Sequence, residues 1–146
     1  MPTYNATMTL FNGYNEDKLK ARHDVGTHTY RAMLLTAIPT ATTATNATLT
    51  EVTGDNYTAG GVDISATLGV SGAQATIQSS VDLAQSWIES AGGFTDARAI
   101  AIRNATTGRL VCFGDITQDG GTTPVSSVDG PVDVNWNGGT NILREG

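Results

Sequence analysis

Residues Ala97 to Ile116 read ARAIAIRNATTGRLVCFGDI. Two short alternating runs flank Asn104-Ala-Thr-Thr-Gly108, a group of turn-forming residues, and together they spell a β-hairpin. Ile100 and Ile102 fall on one face; Ala97, Ala99 and Ala101 fall on the other. The segment Arg109 to Phe113 is the returning strand. A hairpin this clear makes the chain a small β domain. It carries no residue set out as a catalyst, so function has to be read from architecture, surface character and resemblance.

Outward from the hairpin, composition agrees with it. A chain of 146 residues is one domain with room for a core. Hydrophobic residues make up 39% and charged residues 15%, the latter well below the usual share of about 25%. The remainder is mostly Thr, Gly, Asn and Ser. Thr suits pleated, half-buried surfaces, while Gly and Asn suit turns, so many short strands are expected rather than a helical bundle. A surface with few charges can be covered by a partner without stripping water from ions. The net charge is −6, and the only basic cluster is Lys18, Lys20 and Arg22, which leaves no footprint for nucleic acid. Cys112 is the sole cysteine, so no intrachain disulfide can form; between Val111 and Phe113 it reads as a small buried hydrophobe. No apolar run reaches the length of a membrane span, and the N-terminus lacks a basic start followed by an apolar core. No membrane partner and synthesis in a reducing cytoplasm are the expectations.

Along the chain, residues 1–10 read as an extended N-terminal arm and residues 11–146 as a single β domain. Asn15 caps a short helix running to Arg22, with Glu16 and Asp17 in its first turn. Thr27 to Thr36 is a strand covered on both faces. Ile38 to Thr50, rich in Thr and Ala and carrying Pro39, is a loop or edge crossing with little to give a core. Glu51 to Gly61 is a turn-rich connection. Val62 to Val70 alternates as a half-buried strand with Val62, Ile64, Ala66 and Leu68 on one face. Ala73 to Val81 is a further strand. Asp82 to Ser90 reads as a short helix or turn, with Leu83, Trp87 and Ser90 on one helical face; the alternative is an irregular strand end with Trp87 folded over the core. Thr117 to Gly130 is a long surface loop. Pro131 to Trp136 is a strand with Val132, Val134 and Trp136 together, and Ile142-Leu143 closes a last short one. Six to eight strands with one or two short helices make a mainly β chain, an antiparallel β-sandwich or barrel-like domain. Ile100, Ile102, Cys112, Trp87 and Trp136 are its predicted core.

Each constellation that might carry chemistry has a simpler reading. His23 and His28 are the only histidines, two ligands where zinc needs four, and they fit the end of a helix near the negative pole of its dipole. No Gly-x-Ser-x-Gly motif occurs; Ser71 lies in a Val-Ser-Gly turn, and Cys112 in a strand core is unreactive. Glu51, Asp55 and Asp63 cluster in sequence, as do Asp115 and Asp119, and acids so placed in β proteins cap turns. Asp115 to Gly121 offers oxygen ligands for calcium without the spacing of an EF-hand. The glycine pairs at Gly60-Gly61 and Gly138-Gly139 lack the helix and Lys-Ser/Thr of a phosphate cradle. Asn-x-Thr at Asn5, Asn46, Asn56 and Asn104 is expected by chance in a chain of this composition. No catalytic residue, cofactor or metal follows from these residues.

A short helix followed by Tyr30-Arg-Ala-Met-Leu-Leu-Thr36, then Glu51-Val, Asn56-Tyr-Thr-Ala-Gly-Gly61, an alternating strand, Trp87, Ala97-Arg98 opening the hairpin with Thr-Thr-Gly108 at its turn, and Phe113-Gly-Asp115 form an ordered set. In this order the chain resembles a family of small tailed-bacteriophage virion proteins, over about Phe11 to Trp136. Tyr-Thr-Ala-Gly-Gly is the most distinctive of the motifs. Members of that family are structural components of the particle, and some are similar to capsid decoration, or cement, proteins. The resemblance implies that Tyr57, Gly60 and Gly61 form a tight turn entering a strand, that Trp87 packs over the sandwich, and that Arg98 stands at a strand start. It implies a non-enzymatic protein on the capsid exterior, with the major capsid protein and itself, as dimer or trimer, for partners. A neck, tail or fibre component is the alternative within the particle, and a carbohydrate-binding β domain is the alternative outside it. The Thr117–Gly130 loop and the Ile38–Thr50 segment depart from the family pattern. Met1 to Leu10, Ile38 to Thr50 and Asn137 to Gly146 are the segments expected to meet a partner.

Overall fold

The computed structural model describes residues 3–42, 49–71, 74–79, 81, 83, 86–128, 130–136 and 141–145. In chain order the elements are β1 (Thr3–Ala6), β2 (Thr9–Leu10), α1 (Tyr14–Leu19), β3 (Tyr30–Leu35), β4 (Val62–Asp63), β5 (Thr67–Ser71), β6 (Gln74–Gln78), β7 (Ala99–Asn104), β8 (Leu110–Asp115), β9 (Asp133–Trp136) and β10 (Asn141–Glu145). The chain is mainly β with one short helix, and its architecture is sandwich-like.

The predicted hairpin is β7–β8, paired antiparallel from Ala99 opposite Asp115 to Arg103 opposite Leu110. A bulge after Ile102 leaves Val111 as the extra residue. Gly108 closes the turn with φ +75°, a conformation in which a Cβ would be strained. β7 also pairs along its whole length with β3, and β4 and β2 complete a five-stranded sheet in the order β2-β8-β7-β3-β4. A three-stranded sheet, β10-β6-β5, and the pair β1-β9 pack across from it. The main core lies between, built from Tyr30, Ala32 and Leu34 of β3, Ile100 and Ile102 of β7, Cys112, Ile77, Trp87, Val134 and Trp136. All five residues predicted as core are buried there. The opposite face of the large sheet carries a second cluster: Met33, Leu35, Ala99, Ala101, Phe113 and Phe11, the two phenyl rings 4.8 Å apart. β3 is therefore covered on both faces, as its sequence implies.

Several expectations are corrected. The arm is described from Thr3 onward, where β1 pairs with β9 and β2 with β8, so it is stitched into the sheets; residues 1 and 2 lie outside the described residues. The β1–β9 pair is parallel, an exception to an otherwise antiparallel fold, with nearly the whole domain as its crossover. The helix begins at Tyr14 rather than at Asn15, with Gly13 as its N-cap and no side-chain cap, because Tyr14 is a core residue and its ring fixes the first turn. It stops at Leu19, and Ala21 turns the chain away with φ +55°. Ile38, Ala41 and Leu49 pack on the second cluster, so the Thr-rich segment does serve as a cover; residues 43–48 lie outside the described residues. Ala97 joins the main core, not the face of Ala99 and Ala101, because it pairs with Val125 instead of with β8. That pairing also buries part of the supposed surface loop: Val125 and Ser127 are covered.

The largest correction concerns Val62 to Val70. It is two strands, not one. Ile64 donates its N–H to the Tyr30 carbonyl, and Ser65, with φ +47°, donates its own to the Asp63 carboxylate. The chain then leaves the large sheet for the small one. Leu68 is 64% exposed and Val70 is 78% exposed, so Leu68 does not share the buried environment of Ile64.

Candidate functional site

The polar side chains with the most partners gather where α1, the 21–28 segment and the hairpin turn meet. Asp17, on the inward side of α1, is buried. Arg109, the first residue after the turn, grips it with Nε on Oδ2 and Nη2 on Oδ1, each at 2.9 Å, and Arg22 Nη1 donates to Oδ1 at 2.9 Å. Burial alone would raise this carboxyl, but the hydrogen bonds from Arg109 and Arg22 outweigh it and hold the group below the usual carboxylate range.

One step further along, Asn104 ends β7 and is fully buried. Its Nδ2 donates to the Arg22 carbonyl at 3.0 Å and lies 2.9 Å from His28 Nδ1, with His23 Nδ1 at 3.3 Å. Its Oδ1 accepts the N–H groups of Thr106 and Thr107 inside the turn. The Asp24 N–H also donates to His28 Nδ1, at 3.2 Å. Two obligate donors make that nitrogen an acceptor, which places the ring proton on Nε2. Tyr30 Oη stands within 3.4 Å of both His23 Nδ1 and Asn104 Nδ2; burial, then the nearby Asp24 charge, pushes this phenol up to about 12. The histidines are thus not at a helix end, because α1 stops early. They lie over the hairpin turn and bind it to the segment that follows α1.

Beside them a cleft of about 430 Å³ separates this segment from the β5–β6 ribbon, with Tyr14, Lys18, His23, Val25, His28 and Leu68 among its walls. Among the described residues that line it there is no serine or cysteine; its polar groups are Tyr14, Lys18, His23, Asp24, His28 and Thr76. Cys112 is away in the core, where burial pushes its thiol up and away from reactivity. Among the described residues, no three of His, Cys, Asp and Glu are grouped as a metal-ligand set.

The second polar centre is the Tyr-Thr-Ala-Gly-Gly turn. Tyr57 Oη donates to Glu51 Oε2 at 2.7 Å and accepts the Leu34 N–H at 3.1 Å. Burial, then Glu51, raises this phenol. Gly60 N–H donates to the same carboxylate at 2.9 Å, and Arg103 Nε donates to the Gly60 carbonyl at 3.1 Å. Gly60 and Gly61 have φ of +92° and +89°, and a Cβ on Gly61 would stand 2.2 Å from the Ala32 carbonyl oxygen. Tyr57, Gly60 and Gly61 therefore make a tight corner against β3 that leads into β4.

The remaining predicted positions resolve simply. Trp87 lies in the main core, and Arg98, one residue before β7, donates to the carbonyls of Gly121 and Thr36. Asp115 accepts from Thr117, and Asp119 accepts the N–H groups of Thr122 and Thr123; hydrogen bonding from the Thr123 side chain, then from its N–H, draws the Asp119 carboxyl down to about 2. These carboxylates cap turns, so the calcium alternative finds its oxygens engaged with the chain's own N–H groups. Of the five aromatics a sugar platform could use, Tyr14, Trp87 and Trp136 are buried, Tyr57 is committed to Glu51, and Tyr4 is half-buried against the main core. The contacts sequence reasoning missed span long separations, 92 residues for Asp17 with Arg109 and 76 for His28 with Asn104. The one usable signal was Asn104 itself, an amide at the mouth of a hairpin turn.

Compared with protein-family models, curated proteins and solved structures, the chain matches none.

Proposed function

We propose that this chain is a structural virion protein that binds the outer surface of a phage capsid and stabilises the shell as a decoration protein. The supporting observation is where the polar chemistry goes. Asp17 fastens α1 to the hairpin, and Glu51, Arg98 and Asn104 are each engaged in fastening a loop to the β scaffold. What is left outside is a sparsely charged surface on a rigid frame, suited to lying against a lattice with little desolvation cost. The motif residues of the virion-protein resemblance also sit at structural positions: a corner into β4, a core indole and the start of β7.

The mechanism is mass action. A protein that binds the assembled shell and not its separated subunits stabilises the shell in proportion to occupancy. Repeated contacts around the lattice add avidity. Its partners are the major capsid protein and further copies of itself; it takes no cofactor, nucleic acid or membrane, and it is made in the cytoplasm of the host bacterium. Imaging particles assembled with and without the protein tests this reading. Density distributed over the shell is expected; density at a single vertex assigns the protein to the neck, tail or fibre and overturns decoration.

A further inference from the structure

β5 closes the three-stranded sheet, and among the described residues its outer edge has no partner strand. Open edges are normally blunted by charge, proline, bulges or shortness. The other strands that end the three- and five-stranded sheets follow that rule: β2 is two residues long, β4 is two residues long and carries Asp63, and β10 includes Arg144 and Glu145. β5 does not. It is five residues long, pairs with β6 without a bulge, and no charged residue occurs between Asp63 and Asp82.

The sequence of β5 is Thr67-Leu-Gly-Val-Ser71. It is a chemical palindrome about Gly69: hydroxyl residues at the ends, aliphatic residues inside them, glycine at the centre. Such a strand is complementary to itself when reversed. An antiparallel twofold through Gly69 sets Leu68 beside Val70 of the second copy and Val70 beside its Leu68, as an isologous contact requires. Those two side chains are exposed, on the same face of the ribbon. The neutrality of the edge matters as much. A chain of net charge −6 repels its own copy, and like charges at both 68 and 70 would face each other across the twofold.

We infer that β5 is a self-association edge: two copies of this chain pair through antiparallel β5 strands about Gly69, joining two three-stranded sheets into a continuous six-stranded one. This pairing is independent of capsid binding and is present in the isolated protein.

Analytical ultracentrifugation of the purified full chain tests it, with three forms compared across a concentration series. Wild type is expected to reach the mass of two chains, each 15.2 kDa. L68K/V70K places lysine opposite lysine across the twofold and is expected to weaken dimerisation at least tenfold, although it lowers the net negative charge. L68E/V70K places glutamate opposite lysine at both crossings and is expected to restore the dimer. Thermal melting, with all three forms diluted to where they are monomeric, checks that each is folded; both positions are exposed, so all three are expected to melt alike. A wild type that stays monomeric throughout overturns the inference, as does a folded L68K/V70K form that dimerises like wild type or an L68E/V70K form that does not recover. If wild type is monomeric and L68K/V70K loses only capsid binding, the edge belongs to the shell protein and self-pairing is likewise overturned. Loss of capsid binding by a protein that still dimerises counts against the decoration reading alone.

Discussion

The β7–β8 hairpin and the β5–β6 hairpin are built from the same kind of sequence and end in opposite environments. Both alternate, and both pair antiparallel. Ile100 and Ile102 are 0% and 1% exposed, whereas Leu68 and Val70 are 64% and 78% exposed. The difference lies in what surrounds each strand. β7 has neighbours on both edges and packed clusters on both faces. Among the described residues β5 has one neighbouring strand, and its face carrying Leu68 looks into the cleft. Alternation determines which residues share a face; only the rest of the fold determines whether that face is covered. One hairpin is thus the frame of the molecule, and the other is surface it holds out.

Three substitutions probe this contrast. Ile100→Ala on the covered hairpin should cost about 3 kcal/mol, read from denaturant midpoints at unchanged slope. Asp17→Asn, which loosens the clamp between α1 and the hairpin, should cost about 2 kcal/mol, since it removes charged hydrogen bonds from a buried acceptor. The acid limb sharpens that second case. The folded Asp17 carboxyl is held below its unfolded value, so its stabilisation is complete above about pH 4 and is lost as pH falls through the folded value. The stability of D17N should therefore decline less steeply in acid than that of wild type, and equal slopes would remove the clamp from the account. Val70→Ser on the open hairpin should change stability by no more than about 0.5 kcal/mol in dilute, monomeric protein. A loss of several kcal/mol there would mean that the ribbon is part of the frame.

The fold was largely legible in the sequence because its centre is local. The hairpin turn at Asn104 to Gly108, the covered strand at Tyr30 to Leu35 and the inward trio Val132, Val134 and Trp136 each announce themselves within ten residues. The break at Ser65 did not, since Ile64 to Val70 keeps its alternation while the chain changes sheets. A period of two is blind to which sheet a strand joins. The polar centres were less legible still. Asp17 looked like a first-turn helix acid, and its real role depends on two arginines, one of them reached only when the hairpin returns. The histidines looked like helix-end residues, and their meeting with Asn104 depends on the helix stopping at Leu19.

The proposed decoration role is tested most directly by melting empty phage capsids, of the kind the proposal takes as the partner, with and without the purified protein. The decoration reading predicts that the protein sediments with the capsids and raises their melting temperature in a saturable way, reaching its limit when the shell sites are filled. Capsids that neither bind the protein nor change their melting temperature would contradict it.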